Sequence, residues 1–144
     1  MMVEPPDPPA ADINWDEVLA WLPNFTHAGF HAGKWAGSEE HAPGVRAMPW
    51  VGYTDDVLVF IRQLHDLQVV APFDWISWTQ ERGRELWDDP QRLAGASLEE
   101  CRMLLAAHLR ADRFAEGNLL HAMESGHIVT ILKRVESLID RREK

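Results

Sequence analysis

The chain has 144 residues, 46% of them hydrophobic and 26% charged, which fits one globular domain and excludes global disorder. Its formal net charge of −9 disfavours binding to phosphate backbones, so nucleic acid is not an expected partner. The single cysteine, Cys101, excludes an internal disulfide framework and favours a cytoplasmic location, and no apolar run approaches the ~20 residues that would cross a bilayer.

The front of the chain combines a proline-rich start with an irregular aromatic stretch. Residues 1–11 contain four prolines and predict an extended, poorly ordered tail before one helical domain at 12–144. Apolar residues at helical spacing predict a first helix that begins near Trp15 and ends at Pro23. Glycines, prolines and scattered aromatic side chains then predict a long irregular loop over residues 24–52. A short strand pair is the alternative there, but no clean alternation supports it.

The rest of the chain carries the apolar spacing of helices throughout. The expected helices cover about 54–67, 74–87, 98–109, 114–124 and 128–139, with a short turn at 91–93. Ser97 followed by Glu100 is a capping box, which is a strong signal for the start of the helix at 98–109. The sequence therefore predicts an all-α fold, a single compact domain of five to six helices with the irregular aromatic and glycine-rich loop near its N-terminus.

A polar block with the sequence RADRFAEG begins at Arg110, between two apolar helical stretches. Residues three or four apart share a helix face, so Arg113 is expected to pair with Glu116. The same spacing lets Asp112 orient the imidazole of His108. Arg110 adds a second guanidinium that can bind a carboxylate or a phosphate.

This polar block allows two interpretations. In the favoured one, a buried salt-bridge network stabilises the junction between two helices, and Gly117 allows another helix to approach closely. In the other, the block forms a pocket for a small anionic ligand. The ligand-binding residues would be Arg110, Asp112, Arg113, Glu116 and His127, and the candidates for a general base are Glu116, His108 and His127.

A weaker pattern of histidines lies in the loop. His27 and His31 have the i, i+4 spacing of a pair of metal ligands, and His41 could join them with a carboxylate from Glu39 or Glu40. The glycines among these residues make a regular helix doubtful, so no metal site and no cofactor are expected.

Tryptophans mark one further helix. Trp75 and Trp78 lie three residues apart on one helix face, with Trp87 further along the chain. Packing into the core is the favoured interpretation, because tryptophan buries a large apolar area. An aromatic groove for a peptide is the alternative.

Three motifs in the second part of the chain resemble an uncharacterised prokaryotic family, a domain of unknown function. They are FDWISW from Phe73, LRADRFAEGNL from Leu109 and ESGHI from Glu124. The resemblance covers about residues 54–138. It implies a helical domain and supplies no activity.

The sequence favours a non-enzymatic role. No phosphate loop, dinucleotide fingerprint, serine elbow or HExxH zinc motif is present. We therefore expect a protein-interaction or regulatory module whose partner is another protein, bound through the acidic front half and the loop at 24–52. The alternative is an enzyme or small-ligand binder for a phosphate- or carboxylate-bearing substrate, which would use Arg110, Arg113, Glu116 and His127.

Overall fold

The computed structural model describes residues 3–36, 40–42, 44–46 and 49–143. The helices, after a 3-10 turn at Ala10–Asp12, are α1 (Trp15–Leu19), α2 (Leu22–Thr26), α3 (Asp55–Asp66), α4 (Trp75–Gln80), α5 (Arg82–Asp88), α6 (Pro90–Leu93), α7 (Leu98–Asp112), α8 (Asn118–Glu124) and α9 (His127–Glu143). The strands are β1 (Gly33–Ala36), β2 (Glu40–Ala42), β3 (Val45–Arg46) and β4 (Trp50–Tyr53). The domain is compact and mostly helical, and no helix among the described residues could cross a membrane.

Helix α7 forms the centre of the domain. Every residue from Cys101 to Leu109 is buried, because α4, α5, α8 and α9 surround this helix. The expected capping box begins it: the Ser97 hydroxyl accepts from the Glu100 amide at 3.1 Å, and the Glu100 carboxylate accepts from the Ser97 amide at 3.0 Å. The core around α7 is thus built from the predicted apolar stripes of its neighbours.

The stretch expected to be an irregular loop contains paired strands. β1 and β4 are antiparallel, with register from Gly33 opposite Tyr53 to Ala36 opposite Trp50, and β2 pairs with β3. The alternation of apolar and polar residues that marks a strand is obscured in the sequence. Trp35 and Trp50 are apolar but about half exposed, and they lie on opposite faces of the strand pair. The fold is therefore not all-α. Positions 37–39, 43, 47 and 48 of the expected loop lie outside the described residues.

Two of the expected helices are each divided in two, so the described residues hold more helices than the five to six expected. Pro23 does not end a helix but lies in the first turn of α2, where a missing amide hydrogen costs nothing. The helix expected over 74–87 breaks at Glu81, which has φ −118° and ψ −104°. A Cβ on Gly83 would lie 2.7 Å from the Trp78 ring, so the close packing of α4 on α5 requires glycine there.

The proline-rich start of the chain is packed where it is described, in contrast to the expected free tail. Pro6 and Ala10 are buried, and the 3-10 turn contacts α7. The Ala10 amide donates to the Glu99 carboxylate at 2.9 Å. These contacts satisfy backbone groups that proline-rich chain cannot satisfy by itself.

Candidate functional site

The carboxylates of the polar block join the helical body to the strand pair β1–β4. Asp112, the last residue of α7, accepts from the Tyr53 hydroxyl at 3.0 Å and from the Leu119 amide at 3.0 Å. Glu116 accepts from the Val51 amide at 2.8 Å. Both carboxylates therefore bind groups of β4 or the start of α8.

Tyr53 completes this junction. Its hydroxyl oxygen also accepts from the Leu120 amide at 3.2 Å, so one side chain connects β4, α7 and α8. Burial, together with the negative charge of Asp112, raises the pKa of Tyr53 well above its usual range. The phenol is therefore protonated and donates to Asp112 at any ordinary pH.

Gly117 is required in the turn between α7 and α8. Its φ of +93° belongs to the left-handed region, and a Cβ there would overlap the indole ring of Trp35. The sequence predicted close approach of another helix at this glycine, whereas the structure places a strand residue there.

The expected pair between Arg113 and Glu116 does not form. α7 ends at Asp112 and α8 begins at Asn118, so the helical spacing that predicted the pair does not apply to residues between them. Arg113 is exposed, and neither its guanidinium nor that of Arg110 forms an ion pair or side-chain hydrogen bond with any described residue. The prediction of a buried salt-bridge network at this junction is therefore wrong.

His108 is not oriented by Asp112 either. It is 1% exposed, and neither ring nitrogen has a hydrogen-bond partner within the described structure. Its ring centroid lies 3.7 Å from that of Trp87 and 4.9 Å from that of His127, whose Nε2 is also unpartnered. Burial, with the charges of His127 and His121, lowers the pKa of His108, and burial lowers that of His127.

The candidate ligand residues therefore separate into three places rather than one pocket. Asp112 and Glu116 bind the strand pair, His108 and His127 pack near Trp87, and Arg110 and Arg113 have no carboxylate partner among the described residues. Among the described residues, no hydrogen bond or ion pair joins Glu116, His108 or His127 to either guanidinium group.

An open cleft lies on the outer side of Trp87. It has a volume of about 270 Å³ and is lined by Trp75, Thr79, Arg84, Trp87, Asp88 and Ala111. Phe114 lies at its edge, 80% exposed, with its ring 5.9 Å from that of Trp75. Trp78, in contrast, is buried in the core, so the three tryptophans divide between core and cleft. We call these lining residues with Phe114 the aromatic cleft.

Unpaired positive charge lies at the C-terminal end of α7. Arg110 and Arg113 each precede a residue of the aromatic cleft in the sequence, Ala111 and Phe114, but neither arginine lines the cleft itself. Burial, and then the positive charges of Arg110 and Arg113, lowers the pKa of His65 on α3. On a protein of net charge −9, these groups form a local cationic patch.

Arg102 was not among the predicted site residues, yet it is the most completely buried charged residue of the described chain. It is 0% exposed in the middle of α7 and donates only to backbone carbonyls. The signal was present, because Arg102 shares a helical stripe with Leu105 and Leu109, both buried. An arginine on an apolar stripe indicates a buried charge whose hydrogen bonds are satisfied inside the fold.

The weak histidine candidates do not meet as metal ligands where they are described. His27 and His31 are exposed, and Nδ1 of His27 lies 2.6 Å from the carbonyl oxygen of Ala28. The His41 side chain lies outside the described residues. Within the described part of the chain, no three metal-ligating side chains come together.

Comparison with known proteins gives a family. A model of the family of unknown function DUF6508 matches residues 10–141, so the chain belongs to this family. The match confirms the resemblance to an uncharacterised family and extends it beyond the expected 54–138, while the three-motif signature stays a prediction. No match was found among curated proteins or solved structures.

Proposed function

We propose that this domain is a protein-interaction module that binds a partner protein through the aromatic cleft and the neighbouring cations. One observation carries the proposal: Phe114 is 80% exposed at the edge of an open cleft lined by Trp75 and Trp87. Aromatic residues around a pocket are typical of the energetic centre of protein interfaces.

The size of the cleft suits one side chain of a partner. A volume of about 270 Å³ is comparable to a large aliphatic or aromatic side chain and small for most cofactors. Covering Phe114 would contribute about 2 kcal/mol to association, since that is the value of burying such a side chain. An apolar side chain of the partner, bound in the cleft, would thus remove the exposed aromatic surface of Phe114 from water.

The positive charge of Arg110 and Arg113 favours a partner that carries negative charge. Arg110 and Arg113 have no carboxylate partner among the described residues, so an acidic residue beside the apolar anchor would pair with them. The net charge of −9 disfavours nucleic acid as the source of that negative charge. We therefore propose that the partner is a protein segment that carries an apolar residue flanked by Asp or Glu.

A cytoplasmic location, suggested by the single buried Cys101, belongs to the same proposal.

Selection from a random peptide library tests this proposal. We expect the wild-type protein to enrich peptides with a large apolar residue next to Asp or Glu. Phe114→Ser should weaken the selected peptides about tenfold or more, because about 1.4 kcal/mol corresponds to tenfold in affinity. Arg110→Glu should weaken them too, with an effect that decreases at high salt.

Trp50→Ser is the matched control. Trp50 is also an exposed aromatic residue, at 55%, but it lies on β4 and does not line the cleft. Its variant should bind the selected peptides like the wild type. Equal affinity for Phe114→Ser and the wild type, or a loss confined to Trp50→Ser, would contradict the proposal.

A second candidate function is the binding of a small anion by Arg110 and Arg113. The two unpaired guanidinium groups favour it, and their positive charges, after burial, lower the pKa of His65. Inorganic phosphate should then raise the melting temperature of the wild type, as a ligand of the folded state does. An identical rise in an Arg110→Gln, Arg113→Gln double variant would exclude this site.

A further inference from the structure

The N-terminal segment, residues 3–9, lies across the buried guanidinium of Arg102. That guanidinium is completely buried, and all four of its hydrogen bonds go to backbone carbonyl oxygens. Two acceptors belong to the segment and two to the turn after α3: they are Pro6 (3.0 Å), Pro8 (2.6 Å), Gln68 (2.6 Å) and Val69 (2.7 Å). Arg102 thus connects the segment to the helical body through the main chain alone.

Glu99, about one helical turn before Arg102 on α7, also binds the main chain near the N-terminal segment. It accepts from the Ala10 amide at 2.9 Å, and its carboxylate lies 3.5 Å from the Arg102 guanidinium. Burial lowers the pKa of Arg102, while the negative charges of Glu99 and Asp7 act in the opposite direction. A proline-rich chain without regular secondary structure leaves its carbonyls free for a partner, and Arg102 and Glu99 bind main-chain groups of such a chain here.

The N-terminal segment does not fill the space in front of α4. A cavity of about 700 Å³ remains between the segment and the residues around Phe73. Its charged lining residues are all acidic, with Glu4 and Asp7 from the segment and Asp74 and Glu81 from the helical body. Glu4 thus adds a like charge to an acidic cavity, whereas the charge of Asp7 also stabilises the charged form of Arg102.

We propose that the N-terminal segment is a displaceable occupant of a peptide-binding groove, and that this groove accepts a proline-rich segment of a partner protein with a basic residue in place of Glu4. The groove consists of Phe73, Asp74, Glu81, Glu99 and Arg102. Two partner carbonyls would replace those of Pro6 and Pro8, and the basic side chain would enter the acidic cavity. This groove is separate from the aromatic cleft and does not depend on the function proposed for it.

Tethering makes the N-terminal segment a strong competitor. A covalently attached segment acts at an effective concentration on the order of millimolar, so a partner peptide has to exceed that competition. Pro6→Gly with Pro8→Gly weakens the segment without altering the groove, because glycine gives the released chain more conformational freedom to lose on binding. The glycine variant keeps both carbonyl acceptors.

The test uses full-length protein and two fluorescently labelled peptides, followed by fluorescence anisotropy. One peptide has the sequence of residues 3–11, and the other carries the substitution E4K. We expect the E4K peptide to bind the double glycine variant with 1:1 saturation, severalfold tighter than it binds the wild type and severalfold tighter than the unsubstituted peptide. Added salt should reduce the difference between the two peptides.

Arg102→Lys serves as the groove variant, because lysine keeps the charge but not the planar set of donors. It should lose peptide binding at least tenfold in the double glycine background. Should it fail to fold, the comparison of the glycine variant with the wild type still decides the outcome. Absence of saturable binding, or equal affinity for the wild type and the glycine variant, would overturn the proposal. So would a concentration-dependent dimer of the glycine variant that ignores the peptides, since the groove would then serve a second copy of this chain.

Discussion

Stability should fall as the pH is lowered from 7 to 5.5, and His108 should cause much of the loss. Burial lowers the pKa of His108 in the folded protein well below 6.5, whereas in the unfolded chain it titrates near 6.5. Below pH 6.5 the unfolded chain therefore binds a proton that the folded protein does not. The stabilisation is complete above this pH and is lost as the pH falls.

The size of this effect follows from linkage. With an unfolded pKa of about 6.5 and a buried imidazole that stays neutral over the interval, one histidine costs about 1.3 kcal/mol between pH 7 and pH 5.5. His127 acts in the same direction by a smaller amount, because its ring is only partly buried. Urea unfolding followed by circular dichroism at the two pH values measures the sum.

His108→Phe separates this effect from general acid sensitivity. Phenylalanine keeps an aromatic ring against Trp87 and removes the titrating group. The free energy of unfolding of this variant should depend about 1.3 kcal/mol less on pH over the same interval. His121→Gln, at an exposed histidine, is the matched control and should keep most of the dependence. An undiminished pH dependence in His108→Phe would refute the reasoning.

Three other predictions concern the junction and the core. Gly117→Ala should destabilise the protein by more than about 1 kcal/mol in urea unfolding, since φ +93° and the Trp35 ring both oppose a Cβ; an unchanged midpoint would contradict this. Tyr53→Phe should cost about 1–3 kcal/mol, because the Leu120 amide loses its acceptor and Asp112 loses a donor; a neutral effect would show that water replaces the hydroxyl. Cys101 should react with a thiol reagent only on unfolding, because burial raises its pKa to about 12; rapid reaction in native buffer would disprove its burial.

Local signals in the sequence predicted much of the helical framework. Ser97 with Glu100 marked the beginning of α7, and Asp74 caps α4 by accepting from the Ser77 amide as a cap residue should. Such signals involve residues three positions apart, so the sequence alone contains them. The strands β1 and β4 were missed because their pairing is set by contacts with α7 and α8 rather than by alternation.

The candidate site was predicted less well, for a physical reason. The spacing of Arg113 and Glu116 has meaning only on a continuous helix, and α7 ends before either residue. Asp112 and Glu116 form hydrogen bonds to β4 and α8 instead, and those to β4 connect residues far apart in sequence. The position of Arg102 on an apolar stripe was visible in the sequence, but its acceptors are main-chain carbonyls from distant segments, which sequence spacing cannot identify.

The central claim concerns the polar block: its carboxylates stabilise the folded state, and its exposed Arg113 does not. Urea unfolding of Asp112→Ala beside Arg113→Ala tests it most directly. Asp112→Ala should lower the free energy of unfolding by about 1–3 kcal/mol, because the Tyr53 hydroxyl and the Leu119 amide lose their acceptor. Arg113→Ala should change it by less than about 0.5 kcal/mol, as at an ordinary exposed position. A neutral Asp112→Ala together with a loss of about 3–5 kcal/mol in Arg113→Ala, the cost of breaking a buried ion pair, would contradict the claim.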